Sequence, residues 1–374
     1  MKALGILKEQ SGDLRVCVNP LIVKKMVKEL ELTVFVEKDA GIGAGFSNEE
    51  YEKSGAQILE RNEVVKNSEI LLFINQLVFP LQTSESKTLI SILNPLFHFD
   101  HLKSYSDPNL TVYSLDLMPR TSKAQAMDVL SSMASLSGYK AVLKAADLQS
   151  NVLPMFTTAA GTVRPAKALI IGAGVAGLQA IATAKRLGSV VDAFDVRKSA
   201  GEEVRSLGAN FIEVEGAVEN EQAGGYAVEQ TEDFLNKQKA LIDKYVAAAS
   251  IVITTANIPG KKAPILVQKE SVAKMNPGSV IIDLASEQGG NCELTEDAKT
   301  VVFNGVKIIG DSFLSRELAT TASQLLATNY YNFLKYLLQF NGPELKVDPI
   351  LGGCIVVEKG EVVNERVLSI INSK

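Results

Sequence analysis

Along the first third of the chain, short apolar runs at 3–7, 32–36, 69–74, 89–93 and 110–115 alternate with amphipathic stretches. Runs that short, bounded by charged or turn-forming residues, predict strands, and their alternation with helical patterns predicts an α/β architecture. From Ser122 to Ala146 the helical pattern runs on with few breakers, Gly138 being the one interruption, and predicts a long helix. The stretch 151–165, with Pro154, Gly161, Pro165 and several threonines, reads as a connector. Beyond it, apolar runs at 168–171, 190–195, 211–214, 251–255 and 280–284, most of them a helix-length apart, predict the strands of a parallel, doubly wound sheet. After 308–310 a second long helix is expected over 315–340, followed by a hairpin at 354–357 and 361–363. The expected fold is α/β, with two Rossmann-like doubly wound domains bridged by two long helices. Residues 1–130 with the returning segment 315–374 form one domain, and 140–312 the other.

Composition narrows the classes. A chain of 374 residues with 46% hydrophobic and 22% charged residues is globular rather than disordered. A net charge of −5 gives no basic face for nucleic acid. Cys17, Cys292 and Cys354 are few, scattered and outside any CxxC pair, which argues against a disulfide framework or zinc site and for a reducing, cytoplasmic-type compartment. The opening MKALGILKEQ meets charge too soon for a signal peptide. The most apolar window, 166–184, contains three closely spaced glycines and reads as strand, turn and helix rather than a membrane span. With two histidines, no HExxH and no GxSxG, the sequence shows no metal or hydrolase constellation.

Gly172-Ala173-Gly174-Val175-Ala176-Gly177 is a GxGxxG with the context that gives this pattern meaning. An apolar strand precedes it, a helix ending at a glycine follows, and Asp195 closes the next strand. Gly172 allows the tight turn, Gly174 lets backbone approach a pyrophosphate, and Gly177 lets helix and strand pack closely. Asp195 would accept from the adenosine ribose hydroxyls, which favours NAD over NADP, while Arg197, two residues on, is a residue able to hold a 2′-phosphate. The bland alternative is a structural turn without ligand. The Gly41-Ile42-Gly43-Ala44-Gly45 run is a decoy, since Ser47 and Glu50 after it form an ordinary capping-box pattern.

The second polar cluster is Arg120-Thr121-Ser122-Lys123-Ala124-Gln125-Ala126-Met127-Asp128-Val129-Leu130-Ser131-Ser132. On a helix, Gln125, Asp128 and Ser132 fall near one face with Arg120 just before it. Taken alone it reads as a helix start capped by Ser122 and Gln125, with Asp128 solvated, rather than as a site. This stretch, with TAAGT (158–162), the GxGxxG helix, Asp195-Val196-Arg197, AGGYA (223–227), TTANIPG (254–260) and DLASEQGGNC (283–292), resembles the NAD(H)-binding component, domain I of the alpha subunit, of proton-translocating NAD(P) transhydrogenase. The motifs occur in order over nearly the whole chain.

The resemblance implies that Arg120, Gln125, Asp128 and Ser131 hold the nicotinamide ring and are the catalytic candidates. By helical angle Ser132 lies nearer the shared face, so either serine is a candidate. It further implies that Gly225 and Tyr226 belong to a loop closing over NAD(H), and that Gln238, Ala256 and Asn257 lie near the adenosine half, although the family usually has a small or aliphatic residue at 257. Val175, Val196 and Arg197 complete the cofactor-binding set. It implies a homodimer, with the C-terminal hairpin a segment able to exchange, and two partners: an NADP(H)-binding component and a membrane-embedded component through which this chain is peripheral to the membrane.

Hydride transfer between nicotinamides needs oriented rings in a dry site rather than an acid or base, and the polar cluster suits that task. Alanine dehydrogenase, related in fold, is the rival reading. Arg15 and His101 resemble its substrate arginine and histidine, but Asn75 and Gln76 stand where a lysine is expected and Glu287 where an aspartate is, so Arg15 and His101 read as structural. A non-catalytic NAD(H)-sensing subunit is the third reading.

Overall fold

The computed structural model describes residues 2–10, 12–77, 81–214, 232–340 and 347–373. Its strands, in chain order, are β1 (Ala3–Ile6), β2 (Thr33–Glu37), β3 (Ala56–Leu59), β4 (Ile70–Leu72), β5 (Lys87–Ser91), β6 (Leu110–Ser114), β7 (Phe156–Thr158), β8 (Gly161–Val163), β9 (Lys167–Ile171), β10 (Val190–Phe194), β11 (Asn210–Ile212), β12 (Ile251–Thr254), β13 (Val280–Asp283), β14 (Lys299–Phe303), β15 (Val306–Gly310), β16 (Ile355–Glu358) and β17 (Glu361–Val362). The chain divides into two compact units, Met1–Ser132 with Leu318–Lys374, and Met133–Glu317.

The first unit is built on a sheet in the order β3-β2-β1-β4-β5-β6, all parallel, extended by β16 and β17. β16 runs antiparallel to β6, so the C-terminal hairpin is part of this unit's own sheet. The second unit repeats the plan as β11-β10-β9-β12-β13-β15, parallel, with β14 antiparallel at the edge. Each parallel run therefore has the strand order of a dinucleotide-binding sheet, reversing direction at its first strand, β1 or β9, where crevices form at the carboxyl ends. The two-fold α/β expectation is met.

The second unit shows why these sequences make parallel strands. Alternate residues of β9 enter different cores: Ala168 and Ile170 join Ile253, Ile282, Ala180 and Ile181 on one side, Leu169 and Ile171 join Val252, Ile281, Phe234 and Val246 on the other. Strands covered on both faces need apolar residues at every position, which is why they read as continuous runs. The apolar window 166–184 divides into β9, the glycine turn and the helix Val175–Arg186.

Two expectations are corrected. The long helix does not begin at Ser122: a 3-10 turn spans Gln125–Met127, Asp128 is extended (φ −75°, ψ 94°), and the helix runs Val129–Leu148. Local side-chain bonds win over helix propagation here, because Thr121 Oγ1 accepts from Ala124 N at 3.3 Å and Asp128 Oδ1 from Ser131 N at 2.9 Å. Residues 156–163 of the connector 151–165 form the exposed two-stranded hairpin β7-β8, strands the apolar pattern does not predict. The second long helix is Ala319–Leu337, preceded by a 3-10 segment, Leu314–Leu318.

Candidate functional site

In the second unit, β9 leads into Gly172 at φ +99°, a left-handed conformation natural to glycine. A Cβ at Gly172 would run into the Thr255 hydroxyl, and one at Gly177 into the Gly172 carbonyl. These two glycines are fixed by packing. Gly174 is different: a Cβ there meets no atom within 4 Å among the described residues, and its φ of −81° suits any residue. A glycine that neither packing nor backbone requires leaves room for something to approach the backbone. Gly174 is also the N-cap of Val175–Arg186, and no side chain among the described residues caps it, so the first N–H groups of that helix are left without a capping side chain. Val175, the first helical residue, is exposed.

Asp195, following β10, accepts from Ala173 N at 2.7 Å and so ties the strand end to the glycine turn. Arg197 folds back on it, with Nε to Oδ1 and Nη2 to Oδ2 both at 2.9 Å. Val196 is partly buried against the core. On the other flank, Thr255 Oγ1 donates to the Gly172 carbonyl at 3.1 Å. Ala256 follows, held at both its backbone groups by Asn291: Oδ1 accepts from Ala256 N at 3.0 Å and Nδ2 donates to Ala256 O at 2.8 Å. Asn291 is itself fully buried and braced by Asp283, whose Oδ2 accepts from Asn291 N, Cys292 N and Thr295 Oγ1. Asn257 is exposed beyond this staple. Thr255, Asp283 and Asn291 are positioning residues that sequence reasoning did not single out. The DLASEQGGNC stretch contained two of them, but their partner at 256 lies far away along the chain.

Gly138 finds its reason here as well. A Cβ on it would overlap the Ala176 carbonyl, so this glycine lets the Val129–Leu148 helix approach the first turn of the Val175–Arg186 helix. Gln238 is buried on the helix Glu232–Ala248, and its Oε1 has no partner among the described residues. Gly225 and Tyr226 lie outside the described residues.

In the first unit, Asp128 caps the Val129–Leu148 helix: Oδ1 accepts from Ser131 N, and the Ser131 hydroxyl donates to Oδ2 at 2.6 Å. The Ser132 hydroxyl lies 3.1 Å from the Asp128 carbonyl and 2.8 Å from Asn329 Oδ1 on the helix Ala319–Leu337, with both oxygens as acceptors. Asn329 and Asn332 both donate to the Ala126 carbonyl, at 3.0 and 3.1 Å, and Lys123 Nζ donates to the Tyr336 hydroxyl at 2.9 Å. The loop carrying Arg120 and Gln125, both exposed, is thus pinned from beneath by one helix. Asp128, Ser131 and Ser132 are brought together by capping and not by a shared helical face.

The elements of the rival reading are occupied internally. Arg15 is buried with its guanidinium on Asp13, Nη2 to Oδ2 at 2.6 Å. Asn75 Nδ2 bridges Asp13 Oδ2 at 2.9 Å and Glu9 Oε2 at 2.8 Å, filling with an amide the place where the rival reading needs a cation. Burial pushes the Glu9 carboxyl up, more than its hydrogen bonds from Ile74 and Asn75 bring it down. Burial raises Asp13 too, but the bonds and charge of Arg15 outweigh it and hold Asp13 below the usual carboxylate range. His101 is exposed and stacks on His98 with ring centres 5.1 Å apart. Among the described residues no cluster of three metal-ligating side chains occurs, and no helix is long and apolar enough to cross a membrane.

Comparison with known proteins decides the family. The alanine dehydrogenase/PNT N-terminal domain family matches residues 5–137 and the alanine dehydrogenase/PNT C-terminal domain family residues 141–365. An NAD(P) transhydrogenase subunit alpha polypeptide of Rhodospirillum rubrum, the first portion of that subunit, is 41% identical over 375 residues, covering 96% of this chain and 97% of that one. The chain belongs to the NAD(P) transhydrogenase alpha-subunit family. The corresponding subunit alpha polypeptide of Rickettsia prowazekii is 38% identical over 371 residues, covering 97% of this chain and 96% of its own. The solved structure of transhydrogenase from Sinorhizobium meliloti matches with a TM-score of 0.85 at 39% identity, over 97% of this chain and all of that one.

Proposed function

We propose that this chain is the NAD(H)-binding component of a proton-translocating NAD(P) transhydrogenase, passing hydride between NADH and NADP+ held on a partner component. The observation that carries the reading is the glycine turn: Gly172 and Gly177 are required by packing, whereas the space beside Gly174 is open, which suits a ligand approaching the backbone. Its roles follow from position. The N–H groups after Gly174 bind the pyrophosphate, and Asp195 orients the adenosine ribose. Ala256, Asn257 and Gln238 belong to the adenosine half, with the unpartnered Gln238 Oε1 an acceptor for it, and Gly225 and Tyr226 to a closing loop.

Bound NADH supplies the hydride. The protein's task is to place and dry the ring. Arg120 and Gln125, on a loop held rigid by Asn329 and Asn332, are the polar contacts to the carboxamide side. Asp128 and Ser131 fix each other's orientation, so the serine hydroxyl is presented at one angle instead of rotating freely. No group needs to gain or lose a proton in the transfer itself, which agrees with a cluster free of histidine and cysteine.

The remaining elements of the proposal concern assembly. Coupling to proton translocation takes place in a membrane-embedded component, with this chain peripheral to the membrane in a cytoplasmic-type compartment. A homodimer is supported by the β7-β8 hairpin, where Met155, Phe156 and Val163 are 65%, 49% and 53% exposed, an apolar surface suited to burial against a second copy. In the single chain the C-terminal hairpin pairs with β6 of its own sheet, and in a dimer the same hairpin is a segment able to exchange. The test is to mix the chain with an NADP(H)-binding transhydrogenase component and follow NADPH formation from NADH. Turnover supports the reading, while NAD reduction with L-alanine and no transhydrogenation replaces it with the dehydrogenase.

A further inference from the structure

Past the end of β10 the chain turns through Asp195-Val196-Arg197, and the two charged ends of this tripeptide hold each other. The guanidinium makes two parallel contacts with the carboxylate, Nε to Oδ1 and Nη2 to Oδ2 at 2.9 Å each, and the Arg197 backbone N–H adds a third to Oδ1 at 2.9 Å. The Asp195 side chain is 8% exposed and that of Arg197 29%, so the pair is sheltered on the carboxylate side and reachable on the guanidinium side. Asp195, through its hydrogen bonds first and its charge after, with Glu203 assisting, strengthens the cation.

A bare carboxylate at this place rejects a 2′-phosphate by repulsion. Here a guanidinium sits directly on that carboxylate and cancels much of its field. The same guanidinium is the group that binds phosphate through paired N–H bonds. We propose that Arg197 is a latent 2′-phosphate-binding cation kept occupied by Asp195, so that the pair, and not the charge of Asp195 alone, sets the preference for NAD(H) over NADP(H). The fork with Asp195 engages Nε and Nη2, so a phosphate has to compete with the carboxylate for the charge of the guanidinium.

This rests on the NAD(H) reading of the site, and the experiment separates the two. NADH and NADPH are titrated onto the full chain as wild type, D195N, R197A and D195N/R197A, with thermal melts run alongside. Wild type is expected to prefer NADH. D195N should gain NADPH affinity by about tenfold or more, the worth of a freed charge-assisted contact, and D195N/R197A should lose that gain. R197A alone, leaving a bare carboxylate, should bind NADPH no better than wild type. If D195N shows no gain, or if the double variant keeps it, the proposal is overturned, the latter because repulsion alone would then account for selectivity. D195N keeps an amide oxygen able to accept from Ala173 N, and should it still melt early the titrations of all four proteins are run below its melting temperature. Wild-type protein that binds neither dinucleotide overturns the underlying reading, and this proposal with it.

Discussion

The three glycines of the turn predict three different outcomes for one substitution. Gly172→Ala places a side chain at φ +99° and against the Thr255 hydroxyl, and should cost about 1–3 kcal/mol in backbone strain alone. Gly177→Ala drives a methyl into the Gly172 carbonyl, and should cost about 1–3 kcal/mol by overpacking. Gly174→Ala meets open space at φ −81°. There the loss of a favoured N-cap residue is offset by the smaller entropy of the unfolded chain, leaving stability within about 0.5 kcal/mol of wild type. Its binding should nonetheless fall by roughly 10–100-fold, because a methyl in the opening keeps the pyrophosphate from charge-assisted bonds to the helix N–H groups. The assay is a thermal melt and an NADH titration on each variant, with about 2–4 °C lost per kcal/mol expected for a unit of this size. If Gly174→Ala binds NADH like wild type, or melts as early as Gly172→Ala, the assignment of this opening to a pyrophosphate is wrong.

Other expectations follow from the same geometry. Gly138→Ala should lower stability by about 1–3 kcal/mol, since its methyl would push on the Ala176 carbonyl, and NADH affinity should fall with it; a melt unchanged from wild type would contradict the packing. Asp128→Ala removes the cap on Ser131 N, with an expected loss of about 1 kcal/mol by chemical unfolding, and should slow hydride transfer more than Ser132→Ala does. Asp13 is held below the ordinary aspartate value, so its stabilising contribution is complete above that value and drains away as pH falls through the lower folded one. Asp13→Asn should flatten that acid-side slope in a pH series of melts, and an unchanged slope would remove Asp13 from the account.

What could be read in the sequence was local. The glycine spacing, the strand runs of β9, β12 and β13 and the Ser47–Glu50 capping box, with Ser47 N donating to Glu50 Oε2 at 2.7 Å, each depend on residues a few positions apart. Edge elements escaped for a physical reason. β7-β8 is wholly exposed and buries no face, and β14 only half-buries Val301 and Phe303, too short an alternation to detect. The helix start was misplaced because propensity favours 122–128, while Asp128 bonding forward to Ser131 stops propagation. The internal pairing of Arg15 combined a neighbour, Asp13, with Asn75 from another strand's end, so only its second half needed the fold. Asn291 and Ala256 are 35 residues apart, and nothing in either local pattern reveals that they meet.

The central claim is that this chain presents a hydride directly to a second nicotinamide. The most direct measurement uses NADH deuterated at the transferable C4 position, the chain, an NADP(H)-binding transhydrogenase component and NADP+ in ordinary water, with the isotope content of the NADPH read by mass spectrometry. The account predicts deuterated NADPH, formed more slowly by Gln125→Ala. NADPH without the label, or no NADPH from a mixture in which the chain demonstrably binds NADH, would contradict it.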